Sequence, residues 1–154
     1  MTKCGQGYSE IMQDPRSIAE FVKQRIDSKI RWYQENRHRY EGRMWPSWQD
    51  KVLEIFYKDN LSIEVPRDGV VVCRTGNILI VDWRSPCHIL ESCKQNGDNT
   101  AQVCSTLYHV QYQVLLSLID TGLLFARDYS RLRPKADHCR EVIFYRPSLD
   151  AVGF

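Results

Sequence analysis

The sequence predicts an α+β fold: a largely antiparallel sheet with packed helices and an N-terminal helical hairpin. Three observations carry this. Apolar residues recur at helical spacing over the first third of the chain. β-rich runs then come in two pairs, each around turn chemistry. Helical stretches lie between the pairs, which favours antiparallel pairing over βαβ crossovers. The 154 residues suit one domain. Within it, 1–62 reads as a helical segment and 63–154 as an α+β core carrying the cysteine cluster.

Asp14-Pro15 is a helix start, with Asp as N-cap and Pro in the first helical position. Ile18, Phe21, Val22, Ile26, Ile30, Tyr33 and Tyr40 form its apolar stripe, and Gly42 stops it. A second helix starts at Ser47, buries Trp48, Val52, Ile55 and Phe56, and fades at Asp59-Asn60. Residues 70–74 and 78–83 are β-rich around Gly76-Asn77, a hairpin signal. Ser85-Pro86 opens a short helix closed by Gly97. Asp98-Asn99-Thr100 caps a longer one, with Val103, Leu107, Val110, Val114, Leu118 and Leu115 as its inward set and Gly122 as its end. Residues 123–129 and 141–145 read as the second strand pair, joined by the basic loop 131–135.

The composition is 43% hydrophobic and 26% charged, which is ordinary for a folded globular chain and argues against disorder. A net charge of +2 lacks the basic excess of nucleic-acid-binding domains, so nucleic acid is disfavoured as a partner. No apolar run reaches the roughly 20 residues of a membrane helix; the longest candidate, 110–124, is broken by Gln111, Gln113 and Asp120. The first residues lack the apolar core of a signal peptide, and Thr2 stands where myristoylation needs glycine. The expected compartment is therefore the cytoplasm, where cysteines serve as free thiols, metal ligands or nucleophiles rather than as disulfides.

Four of the six cysteines gather in the C-terminal half. Cys87, Cys93, Cys104 and Cys139 are candidate ligands for an iron–sulfur cluster or zinc. Against this, no C-x2-C knuckle is present. Six helical residues turn through roughly 600°, so Cys87 and Cys93 diverge unless the helix ends early. The plain alternative is that these are small buried apolar residues. Cys87 has a separate case. Placed in the first turn of a helix after Ser85-Pro86, it would meet free N–H groups and the positive end of the helix dipole, which favour a thiolate. His109 or His138 would then be its base.

The loop 128–141 is the densest polar stretch. Arg131, Arg133 and Arg140 offer bidentate donors for an anionic substrate, and Asp137 with His138 offers acid–base chemistry. The alternative is a merely solvated hairpin loop. The N-terminal helix mixes Arg25, Lys29 and Arg31 with Asp27 and Glu35, a pattern for a solvated face or, alternatively, a homodimer or partner surface.

Trp83-Arg84-Ser85-Pro86-Cys87, then Cys93, Gly97, Val103-Cys104 and Asp137-His138-Cys139-Arg140-Glu141, resemble the L-2-amino-thiazoline-4-carboxylic acid hydrolase-like proteins and the related vinyl-reductase-type small-molecule-binding domains. The resemblance spans about residues 70–146, and only Cys87, Cys104 and Cys139 correspond to its pattern. The order Pro86-Cys87 departs from the Cys-Pro element of that family. The resemblance implies an α+β domain for small organic ligands; some relatives bind metal through cysteines and some are hydrolases. Three function classes follow. The first is a small-molecule-binding protein with a cysteine-ligated metal centre and hydrolase or lyase activity. The second is a metal-free cysteine hydrolase or transferase. The third is a non-catalytic adaptor built on the helical hairpin.

Overall fold

The computed structural model describes residues 7–146, so Cys4 lies outside the described residues. A short helix α1 (Ser9–Gln13) leads into α2 (Pro15–Asn36), which continues as a 3-10 turn (Arg37–Arg39). Helix α3 (Trp48–Val52) runs on into π-type turns over Leu53–Asn60. Strands β1 (Gly69–Thr75) and β2 (Ile78–Trp83) form the expected hairpin. After α4 (His88–Asn96) comes a long helix: α5 (Thr100–Val103), a π turn (Cys104–Tyr108) and α6 (His109–Ile119). Strands β3 (Leu123–Arg127) and β4 (Cys139–Tyr145) complete the sheet. The sheet is antiparallel throughout, in the order β1-β2-β4-β3, and the fold is α+β.

Local chemistry explains most of these boundaries. Asp14 caps α2 by accepting from the Arg16 N–H, with Pro15 at the first position. The Ser47 side chain caps α3 through the Asp50 N–H. The Asn99 side chain caps α5 through the Gln102 N–H. Gly97 ends α4 at φ 72°, a left-handed conformation that costs glycine nothing. Gly69 opens β1 because a Cβ there would lie 2.4 Å from the Asp82 carbonyl.

Side chains alternate across the sheet, so every second residue faces the helices. Three rows make up that inner face. Leu79, Ile143 and Phe125 lie deepest; Val81, Glu141 and Arg127 come next; Trp83 and Cys139 stand at the end. The turns of Leu53–Asn60 lay Phe56 and Tyr57 on this face, both fully buried. Each such side chain contributes roughly 1.5–3 kcal/mol by leaving water. Trp48 is only half-buried against the core. It stacks on Tyr145 at 5.5 Å and donates to the Gly76 carbonyl at 2.7 Å, fastening α3 to the hairpin turn.

The long helix departs from the expected inward set. Val103 and Leu107 face the core, but Val110 and Leu118 are 42% and 37% exposed. Leu115 is buried as expected, and Gln111, Tyr112, Leu116 and Ile119 are buried beside it. The π turn holds more residues per turn than an α-helix, so each later residue comes round to the core one position late. Along one face of α2, Ile18, Phe21, Trp32 and Tyr33 pack half-buried against the core; the helix lies across α6 and its π turn, and no residue on it is fully buried. No helix among the described residues is long and apolar enough to cross a membrane.

Candidate functional site

A cavity of about 160 Å3 opens at the Trp83–Cys139 end of the inner sheet face. Its floor is the sheet itself, with Trp83, Cys139, Glu141 and Arg127. The long helix supplies Cys104 and Tyr112, the β2–α4 link supplies Ser85, Pro86 and Cys87, and the 131–135 loop supplies Leu132 and Arg133. Three of the four expected cysteines, Cys87, Cys104 and Cys139, thus reach one space. Cys93, 1% exposed, is not part of that wall.

The floor carries a buried ion pair that the loop-centred reading did not anticipate. Arg127 donates to the Glu141 carboxylate through Nε at 3.2 Å and again through Nη2, and both side chains are under 10% exposed. The Tyr57 hydroxyl donates to Glu141 Oε1 at 2.9 Å. Arg127 also stands 5.2 Å from the Tyr112 ring centre. Burial opposes the Arg127 charge, but Glu141, Tyr112 and Cys104 outweigh it and hold the guanidinium protonated. Burial, then the Glu141 charge, push the Tyr57 hydroxyl well above its ordinary value. A signal for this pair was present in the sequence. Arg127 is in phase with Leu123 and Phe125, and Glu141 with Ile143, so both charges had to point inward.

Arg133 is positioned differently. Its Nη1 donates to the Ser85 carbonyl at 2.7 Å and its Nε to the Cys139 sulfur at 3.3 Å. Arg127 is neutralised by Glu141, whereas Arg133 has no carboxylate partner among the described residues. An uncompensated guanidinium therefore sits beside a thiol on the cavity wall.

The thiols differ from one another. Burial pushes Cys104 up to about 12; Arg127 opposes this, and neighbouring Cys87 and Cys139 add to it. Burial also raises Cys93, partly offset by a hydrogen bond with Thr100. Cys87 and Cys139 are half-exposed. The first-turn placement expected for Cys87 is corrected: helix α4 begins at His88, and Cys87 is the N-cap, at φ −137° and ψ 113°, with no side-chain capping bond. Ser85 is buried and anchors Arg133 rather than capping a helix.

Arg140, Asp137 and His138 gather around Asp82 on the other side of the sheet. Arg140 forks Asp82 at 2.8 and 2.9 Å. That pair, with the Asp82–His138 contact at 3.5 Å, holds the Asp82 carboxyl below its ordinary value. His138 Nδ1 contacts Asp137 at 2.5 Å, and Asp137 reaches Arg84 at 3.4 Å. Asp82 alternates with Val81 and Trp83, so this cluster faces away from the cavity. Asp137, His138, Arg131 and Arg140 are absent from the cavity wall. His109 is engaged with the Tyr129 hydroxyl at 2.7 Å and also lies outside the wall, whereas His88 is part of it.

Among the described residues, no three His, Cys, Asp or Glu side chains are arranged to hold a metal ion. Of the four cysteines expected as ligands, Cys93 is absent from the cavity wall and Cys139 accepts a hydrogen bond from Arg133. Neither a family model, nor a curated protein, nor a solved structure matches the chain.

Proposed function

We propose that the chain is a small-molecule-binding protein that takes a small anionic ligand into the Cys87–Cys104–Cys139 cavity, where the Cys139 sulfur, its proton given up to solvent, displaces a leaving group from the carbon beside the anion without a metal: the S–C bond forms as the bond from that carbon to the leaving group breaks, and the leaving group departs with that bonding pair. The observation that carries this is Arg133, a guanidinium with no carboxylate partner among the described residues, 3.3 Å from the Cys139 sulfur. A guanidinium fork binds carboxylate or phosphate oxygens by paired hydrogen bonds. Fixing the anion there brings its neighbouring carbon to the thiol, which replaces a bimolecular encounter with an oriented one. The volume limits the ligand. At 160 Å3 the cavity is below the roughly 300 Å3 at which drug-sized pockets begin.

Two alkylating probes of nearly equal size test the reading, iodoacetate with an anionic group and neutral iodoacetamide. Peptide mass spectrometry gives the rate at each cysteine, with Cys73, on the opposite sheet face, as internal reference. The expected result is an iodoacetate-to-iodoacetamide rate ratio at Cys139 about tenfold above that at Cys73. Equal ratios at the two thiols would overturn the anionic site.

A further inference from the structure

We infer that the Tyr112 hydroxyl is the leaving-group donor of this cavity: it gives a hydrogen bond to the group that departs from the carbon attacked by Cys139, so the ligand is a short carboxylic acid whose α carbon carries a group that leaves as a compact anion. This rests on the reading of the cavity as an anionic ligand site with Cys139 as its nucleophile.

Five tyrosines are buried among the described residues: Tyr8, Tyr40, Tyr57, Tyr108 and Tyr112. Four of their hydroxyls are hydrogen-bonded. Tyr8 and Tyr108 pair with each other at 2.9 Å, Tyr40 donates to Asp59 at 2.5 Å and Tyr57 to Glu141 at 2.9 Å. The Tyr112 hydroxyl has no hydrogen-bond partner among the described residues, yet its oxygen is not sealed from solvent. Tyr112 is 8% exposed, and the open space it meets is the cavity, whose roof it forms with Cys104. Long side chains lean toward the N-terminal end of their helix, and here that end carries Cys104. The ionisable groups that act most strongly on the hydroxyl, Arg127, Glu141, Cys104 and Cys87, all line the cavity.

Burial pushes this hydroxyl up to about 12 against the opposing Arg127 charge, so it keeps its proton at neutral pH and serves as a donor. Cys139 stands on the sheet floor, and Tyr112 on the helix across the cavity. A displacement at carbon expels its leaving group on the side away from the attacking atom. With the sulfur on the floor, that side is the roof, where the Tyr112 hydroxyl is open. In a 2-halo acid the sulfur–carbon bond forms as the carbon–halogen bond breaks. The halide departs with the bonding pair into a hydrogen bond from Tyr112, and the phenol keeps its proton. A donor fixed where negative charge develops lowers the barrier most for the anion that accepts most strongly. Chloride, being compact and charge-dense, gains more from it than iodide.

The test compares chloroacetate with iodoacetate, which share the anion and differ only in the leaving group. Peptide mass spectrometry gives the rates at Cys139 and at Cys73, on the opposite sheet face. The chloroacetate-to-iodoacetate rate ratio at Cys139 is expected to be about tenfold above that at Cys73. In Tyr112→Phe the Cys139 ratio is expected to fall to that of Cys73, with the iodoacetate rate itself changed by less than about threefold. Loss of packing alone would slow both acids alike. Equal ratios at the two thiols in the wild type, or an elevated ratio that survives in Tyr112→Phe, would overturn the leaving-group donor. Failure of the anionic site reads differently. The preference of Cys139 for iodoacetate over iodoacetamide persists if only the Tyr112 role is wrong, and it disappears if the site itself is wrong. The wild-type ratios decide the question even if Tyr112→Phe does not fold.

Discussion

At the scale of single residues, the molecule places charge where apolar residues would be less costly. The Arg127–Glu141 pair is buried against Tyr57 and Tyr112. Breaking such a pair leaves an uncompensated buried charge, so Glu141→Ala is expected to lower unfolding stability by about 3–5 kcal/mol in urea titrations. The double change Arg127→Met with Glu141→Leu is expected to recover most of that loss, because both desolvated charges disappear together. Cys104 gives a second residue-level outcome. Its folded pKa, about 12, lies above the unfolded thiol value of about 8.5. Its contribution to stability is therefore complete below pH 8.5 and declines as pH rises toward 12. Alkylation of native protein at pH 8 should spare Cys104 and proceed only on denaturation. At this scale the sequence singled out Cys87, Cys93, Cys104 and Cys139 as one group; Cys87, Cys104 and Cys139 line the cavity and Cys93 does not. Strand alternation already set Arg140 on the face opposite Cys139 and Glu141; the place of Asp137 and His138 was not legible, because they precede the strand and their contacts with Arg84 and Asp82 are tertiary.

Among the elements, the long helix shows where periodicity alone misleads. A pure 3.6-residue repeat places Leu118 inward, whereas the π turn at Cys104–Tyr108 brings Leu116 and Ile119 to the core beside Leu115. Leu115→Ala should cost about 2–5 kcal/mol by denaturant titration, while Leu118→Ala should stay within about 0.5 kcal/mol. Equal losses would show that the helix keeps α phase. The same turn sends Cys104 and Tyr112 to the cavity roof. The starts of α2, α3 and α5 were legible because Asp14, Ser47 and Asn99 cap by local side-chain chemistry. The start of α4 was not. Ser85 and Pro86 carry a start signal, yet Ser85 is drawn into the tertiary contact with Arg133, and the helix begins two residues later than that signal, at His88.

For the molecule as a whole, the helical N-terminal segment and the sheet share one core. Tyr8 and Tyr40 are buried in the same apolar cluster as Leu79 and Ile143. Tyr8 shares a 2.9 Å hydrogen bond with Tyr108 on the π turn, and Tyr40 donates to Asp59. Removal of residues 1–40 is therefore expected to abolish cooperative thermal unfolding, as read by near-ultraviolet circular dichroism. A truncated chain that still unfolds in one sharp transition would contradict that dependence. The antiparallel sheet was legible from paired β-rich runs and the Gly76-Asn77 turn. Its order, with β4 between β2 and β3, was not, since nothing local tells the last strand which edge to join.

The central claim, that Arg133 holds an anion beside a reactive thiol, is tested most directly by repeating the iodoacetate and iodoacetamide labelling on the Arg133→Gln variant. Glutamine retains a donor toward Ser85 but removes the charge. The account predicts that the Cys139 rate ratio falls to that of Cys73, with iodoacetamide labelling changed by less than about threefold. A ratio at Cys139 that stays high without the guanidinium would contradict it and place the anion elsewhere.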